Sequence, residues 1–158
     1  MALDHSEVFR KTWDRLSVLP GGGKLFGKLV GRAAPYTGTI DPVVLELRRG
    51  YAKVQMRDRK AVRNHLRSIH AIALMNLAEV ASGTGFIYGL PSNTRGILTG
   101  LSIEYLKKAR GTLTAECYAP IPESNERDEF EVEVVTRDET GDIVTRARAK
   151  WLIGPAHG

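Results

Sequence analysis

The stretch from Arg63 to Gly83, RNHLRSIHAIALMNLAEVASG, turns almost wholly apolar from its middle onward, yet it carries two Asn, two His and a Glu. A helix that is apolar nearly all round has no face to show to water and must be covered on most sides. A strongly curved antiparallel sheet that wraps around the helix can cover it. At 158 residues the chain is long enough to bury about two thirds of its unfolded surface without disulfide or metal staples, so one domain over residues 1–158 is expected.

The flanking sequence supplies the pieces of such a sheet. After Pro42 the period drops to two: Val44, Leu45 and Leu47 lead to Arg49-Gly50, and Ala52, Val54 and Met56 then alternate with polar neighbours, which predicts two strands and a tight turn. Beyond the helix, Ile97, Thr99, Leu101, Ile103 and Tyr105 alternate over a long segment, followed by Leu113, Ala115 and Cys117. Phe130, Val132 and Val134 make a further strand, and ETGD turns it into Ile143, Thr145, Ala147, Ala149 and Trp151, a predicted hairpin. These strands define a core over residues 42–153. Residues 1–38 read as an N-terminal helical extension, with Val8, Phe9, Thr12, Trp13 and Leu16 near one face of a helix over 6–18 and a second helix over 25–32. Between them PGGGKLFGKL places Gly22, Gly27 and Lys28 at phosphate-loop spacing, but Leu29 has no hydroxyl for magnesium and no strand precedes the glycines, so they read as a helix-to-helix turn.

The formal charge of +5 and pI near 9.5 favour anionic partners. The basic clusters RDRKAVR (57–63) and KKAR (107–110) lack the interleaved aromatics of a base-stacking surface, so nucleic acid is not expected; a phosphate-bearing small molecule and a simple solvated edge both remain open. The single cysteine, Cys117, has no partner for a disulfide and reads as a small core residue. With the acids and His of MALDHSEVFR there is no leader pattern, which points to the cytoplasm, and no apolar run reaches the roughly 18 residues of a membrane span. No GxSxG, HExxH, paired Cys/His spacing or dinucleotide fingerprint occurs, so neither a metal nor a cofactor is expected.

Asn64, His70 and Glu79 follow the pattern Asn, five residues, His, eight residues, acid. This resembles the helix start of hot-dog-fold acyl-CoA thioesterases, notably the phenylacetyl-CoA type, and the segment IEYLKKARGTLTAECY resembles the strand-corner-strand of the same group. The resemblance covers about residues 42–152. It implies an α+β hot-dog fold and an acyl-CoA thioesterase with Glu79, Asn64 and His70 as catalytic groups. It implies also an oxyanion site from the backbone of His70 and Ala71, with Asn76, Arg67 and Ile72 meeting substrate, and Lys107, Lys108 and Arg110 receiving the phosphates of coenzyme A. Two departures stand out: Ala71 and Ile72 replace two glycines that commonly follow the His, and Arg67 stands where the family often has Gly.

The spacing carries its own constraint. Nine residues of α-helix are about 2.5 turns and about 13.5 Å, so His70 and Glu79 of one chain point in opposite directions. A homodimer, or a tetramer of two dimers, that sets the Asn64/His70 end of one subunit beside Glu79 of the other brings them together. Asn76, Glu79 and Gly83 share one stripe at i, i+3 and i+7. Glu79 is expected to act as general base on water or as nucleophile; a non-catalytic hot-dog module binding acyl-CoA or acyl-carrier ligands is the alternative. Ser68 reads as the helix N-cap, and His5 and His65 as surface residues.

Overall fold

The computed structural model describes residues 4–156. Three helices come first: α1 (His5–Leu16), α2 (Gly22–Ala33) and the single turn α3 (Pro35–Gly38). Strands β1 (Val43–Arg48) and β2 (Tyr51–Met56) follow, then α4 (Ala71–Gly89) and strands β3 (Thr94–Tyr105), β4 (Leu113–Tyr118), β5 (Asp128–Arg137) and β6 (Ile143–Pro155). All pairings are antiparallel, in the order β1-β2-β4-β5-β6-β3.

The six strands curl around α4. Leu77, Ala78, Ala81 and Phe86 of the helix are fully buried against Ala52, Val54, Met56, Leu113, Ala115, Cys117, Val132 and Ala149 of the sheet. By length and composition α4 would pass for a membrane span; here the sheet covers it. The two predicted hairpins form where glycine allows a left-handed turn, at Gly50 (φ 74°) between β1 and β2 and at Gly141 (φ 87°) between β5 and β6. In the second, the Asp138 carboxylate accepts from the Thr140 and Asp142 amides and the Thr140 hydroxyl, closing the turn.

Three sequence expectations shift. The central helix begins at Ala71, while residues 63–69 form a tight loop closed by an Arg63–Ile69 bridge. Ser68 is therefore not the cap; His70 is, in extended geometry with Nδ1 accepting from the Ile72 amide at 3.0 Å. In β3 the alternation changes phase at a bulge between Leu98 and Gly100, which turns Ile97 and Thr99 outward and leaves Leu98, Leu101 and Ile103 half-buried.

The N-terminal helices pack on one side of α4 and belong to the same core: Trp13 and Phe26 stack edge to face, and the Trp13 indole donates to the Leu47 carbonyl at 2.9 Å. α2 packs backbone against backbone along the stripe Gly23, Gly27, Gly31, the first two meeting Val44 and Pro42 at the start of β1 and Gly31 meeting Gly38 of α3. A Cβ at Gly27 would fall on the Pro42 carbonyl oxygen, well inside van der Waals contact. Gly27→Ala is accordingly expected to cost about 1–3 kcal/mol by forcing α2 off the sheet, against the gain in helix propensity that alanine brings at an unconstrained site. Urea denaturation reads the difference, and an unchanged midpoint refutes the close-packing account.

Candidate functional site

α4 presents two different environments at its two ends. At its N-terminus, the loop 63–69 is organised by Asn64, whose Oδ1 accepts from the Leu66 amide (2.9 Å) and the Ser68 amide (3.1 Å). Arg67 adopts a left-handed φ of 58°, the conformation glycine takes most easily, and its amide donates to the Asn64 carbonyl. Asn64 and Ala71 line a surface groove with Tyr105, Lys107 and Lys108, and the Tyr105 hydroxyl donates to the Ala71 carbonyl at 3.0 Å. His70, Arg67, Ile72 and Arg110 are exposed and lie outside that groove.

The backbone donors of this end are unequal. The His70 amide donates to the Val62 carbonyl at 2.8 Å, and the Ile72 amide to His70 Nδ1. The expected oxyanion role for the His70 amide is therefore corrected: that N–H is engaged. The Ala71 amide, at the first helical position, carries no such bond among the described residues. The His70 ring, accepting at Nδ1, keeps its donor at Nε2.

Nine residues on, Glu79 faces the opposite side, into a pocket of about 540 Å³ roofed by α1 and α2 and floored by α4 and Trp151 of β6. The lining is apolar except for Glu79, His5 and the hydroxyls of Thr12, Thr37 and Thr84. Glu79 is half-buried, and among the described residues no hydrogen bond or ion pair reaches its carboxylate. Burial in this apolar surround raises its pKa above the ordinary glutamate value. Gly83, one turn along, keeps the space beside it: a Cβ there would stand 3.2 Å from the Trp151 ring and 3.8 Å from Glu79 Oε1. The ring is held by a relay in which Trp151 Nε1 donates to Ser82 Oγ (3.3 Å) and Ser82 Oγ donates to the Glu79 carbonyl (2.9 Å).

Asn76 shares the stripe of Glu79 and Gly83 but not the pocket. It is buried, and its amide donates to the Tyr36 carbonyl at 3.0 Å, tying α3 to α4, so the substrate-contacting role read from its position gives way to an anchoring one. Lys107 is likewise engaged, paired with Asp138 (2.6 Å) and Asp142 (2.7 Å) across the β5–β6 turn. Hydrogen bonds from Lys107 and Thr140 hold the Asp138 carboxyl far below the usual carboxylate range, and the two aspartates raise the lysine. Lys108 and Arg110 make no ion pair among the described residues. Cys117 is buried, its thiol pushed up to about 12 by desolvation, and inert. The pocket-lining face of α1 and α2 had no place in the sequence reading of the site. Its only signal was the unexplained apolar stripe Val8, Phe9, Thr12, of which Val8 remains 47% exposed.

A curved antiparallel sheet closed over one long apolar helix defines a hot-dog-fold protein. The chain belongs to the family described as Domain of unknown function (DUF4442), which matches residues 22–153. A protein solved by a genomics effort is 32% identical, with a TM-score of 0.79 over 94% of this chain and 99% of that one. A Pseudomonas aeruginosa protein of unknown function, described as a probable thioesterase, is 22% identical with a TM-score of 0.74, covering 87% of this chain and 97% of that one. A Haemophilus influenzae thioesterase is 12% identical with a TM-score of 0.69, covering 84% and 92%. These last two likenesses speak to the fold. No curated protein matches the chain.

The cap at His70 can be separated from any chemistry of its ring. His70→Ala should lower stability by about 1 kcal/mol through loss of the Ile72 acceptor, and His70→Ser should recover most of it. Thermal melts of the three proteins make the comparison; equal melting of His70→Ala and the parent would remove the cap from the account.

Proposed function

We propose that this protein hydrolyses acyl-CoA thioesters to a carboxylic acid and free coenzyme A, as a cytoplasmic homodimer or pair of dimers, with Glu79 as general base. The observation that carries the reading is the half-buried Glu79 carboxylate, unpaired among the described residues, in a mostly apolar pocket. A carboxylate whose basicity is raised by desolvation accepts a proton from water more readily than an exposed one. Water then attacks the thioester carbon, the C–S bond breaks and the departing thiolate takes up a proton. The developing oxyanion needs donors; the Thr12 and Thr84 hydroxyls beside Glu79 donate to carbonyls of their own helices, and in this reading the Ala71 amide and the Asn64 loop of a second subunit serve instead. The 12-residue edge strand β3, with Ile97 and Tyr105 about half exposed, offers a surface for that second copy. Lys108 and Arg110 would meet the coenzyme A phosphates, Lys107 being occupied by its aspartates. The hot-dog fold shared with thioesterase structures supports the same class of chemistry.

A second reading, a module that holds acyl-CoA or acyl-carrier ligands without turning them over, draws on the engaged His70 amide and the neutralised Lys107, which remove two of the groups expected to serve catalysis. A panel of acyl-CoA esters with free thiol monitored decides between them. Glu79→Gln should lower kcat about 10²-fold or more with KM little changed, and wild-type activity should rise with pH through the elevated pKa of Glu79. Turnover in Glu79→Gln at the wild-type rate sinks the general-base assignment.

Stability moves the other way. Because the folded-state pKa of Glu79 is raised, the folded protein holds the proton more tightly than the unfolded chain, and stability falls as pH rises from the unfolded pKa through the folded one. Glu79→Gln should therefore melt higher than wild type at neutral pH, with the gap closing in acid. A gap independent of pH contradicts the desolvation argument.

The shared site has its own test. Mixing Glu79→Gln with an Asn64→Ala/His70→Ala variant should restore part of the activity, since a heterodimer assembles one intact site from two chains. An active species that light scattering shows to be monomeric overturns the shared site.

A further inference from the structure

The pocket beside Glu79 has a direction as well as a volume. Its α4 wall is made by Glu79, Val80, Gly83, Thr84 and Ile87, with the carboxylate at one end of that stretch and Ile87 at the other. Eight residues of helix separate them, about 12 Å. The roof is built from single faces of α1 and α2, which contribute Val8, Phe9 and Val30, and the floor from Trp151. Besides Glu79 the polar groups of the lining are His5 and the hydroxyls of Thr12, Thr37 and Thr84, and the Thr12 and Thr84 hydroxyls already donate to the Val8 and Val80 carbonyls of their own helices, which leaves the wall beyond the carboxylate mostly apolar. Glycine at position 83 keeps a side chain out of the space between α4 and the Trp151 ring, and the Trp151 relay through Ser82 fixes the floor.

We propose that this slot is the acyl site, that its occupant is a straight, uncharged acyl chain of about eight to ten carbons lying along α4 from Glu79 to Ile87, and that the N-terminal helices set the chain length. This rests on the thioesterase reading and names its substrate class. An extended chain of carbon–carbon single bonds advances about 1.3 Å per carbon, so about 12 Å accommodates about nine. The volume of about 540 Å³ holds such a chain with the carbonyl carbon at the Glu79 end, where the attacking water must stand. Short acyl groups would leave apolar wall wetted, and the carbons of longer ones would pass Ile87 and gain no further apolar wall.

The test measures binding without turnover. Calorimetry with n-alkyl methyl ketones of about four to twelve carbons, in which a ketone stands in for the thioester carbonyl, needs neither hydrolysis nor coenzyme A. Affinity should rise about fourfold per added methylene and level off at about ten carbons. Ile87→Trp should move the break about three carbons shorter, and Ile87→Ala should move it longer. Val8→Trp, at an exposed position on α1, should also shorten it and serves if Ile87→Trp does not fold. Affinity independent of chain length, or the same break in wild type and a folded shortening variant, overturns the proposal even if thioesters are hydrolysed. A chain-length break that follows these substitutions in a protein that hydrolyses no thioester upholds the slot and refutes the hydrolase reading instead.

Discussion

The burial of α4 organises this molecule. A 19-residue helix whose apolar residues are spread around its whole circumference gains from being enclosed, and a single flat sheet face would leave most of it wet. Curling the sheet solves most of the problem, and the small residues along both elements make the curl tight. Gly85 meets Cys117 and Ala52 so closely that a Cβ would collide with the sulfur, and Ala52, Ala115 and Ala149 keep the concave surface shallow where the helix lies. What the sheet does not reach, α1 and α2 cover. The pocket is the space left between that second cover and the helix, so a cavity next to a carboxylate arises where two coverings of one helix fail to meet.

Placing a carboxylate in that gap has a physical cost, and the general-base role proposed for Glu79 draws on the same cause. Water is partly excluded, so the ionised form of Glu79 is poorly solvated, and no cation or donor among the described residues compensates it. Structural carboxylates elsewhere in the chain are treated differently. Asp58 is met by Arg63 and the Gly111 amide, Asp138 by Lys107 and its own turn, and Asp4 caps α1; all three are held below their ordinary pKa. Among these carboxylates Glu79 moves upward. That contrast sets Glu79 apart from the carboxylates that the fold pairs with donors.

The elements were legible in the sequence because their causes are local. Period-two alternation located the strands from Val44 onward, ETGD and Arg49-Gly50 marked the turns, and the enclosed helix dictated the curved sheet. The bulge in β3 was not legible, since Ile97, Thr99, Leu101, Ile103 and Tyr105 alternate perfectly in sequence and only the pairing with β6 reveals that the phase changes at Thr99. The helix start was misplaced onto Ser68 because histidine is an uncommon cap, although an unprotonated imidazole nitrogen accepts an amide as a hydroxyl does. Site residues divided along the same line. The isolation of Glu79 on its helix could be seen in one dimension, whereas the anchoring of Asn76 to Tyr36, the use of the His70 amide by Val62 and the pairing of Lys107 with Asp138 depend on partners 8 to 40 residues away.

The glycine stripe of α2 separates two tasks that a helix ordinarily performs with the same side chains. Because Gly23, Gly27 and Gly31 seat the helix by backbone contact with residues 38–44, its height above the sheet is fixed without any interlocking of side chains. Phe26 stays locked against Phe9 and Trp13, but the rest of the neighbouring face, Leu29, Val30 and Ala33, is thereby released from seating the helix on the sheet. Residues there can become larger or smaller while the helix stays where it is, so related chains that keep the three glycines can diverge in what the cavity admits without rebuilding the fold around it.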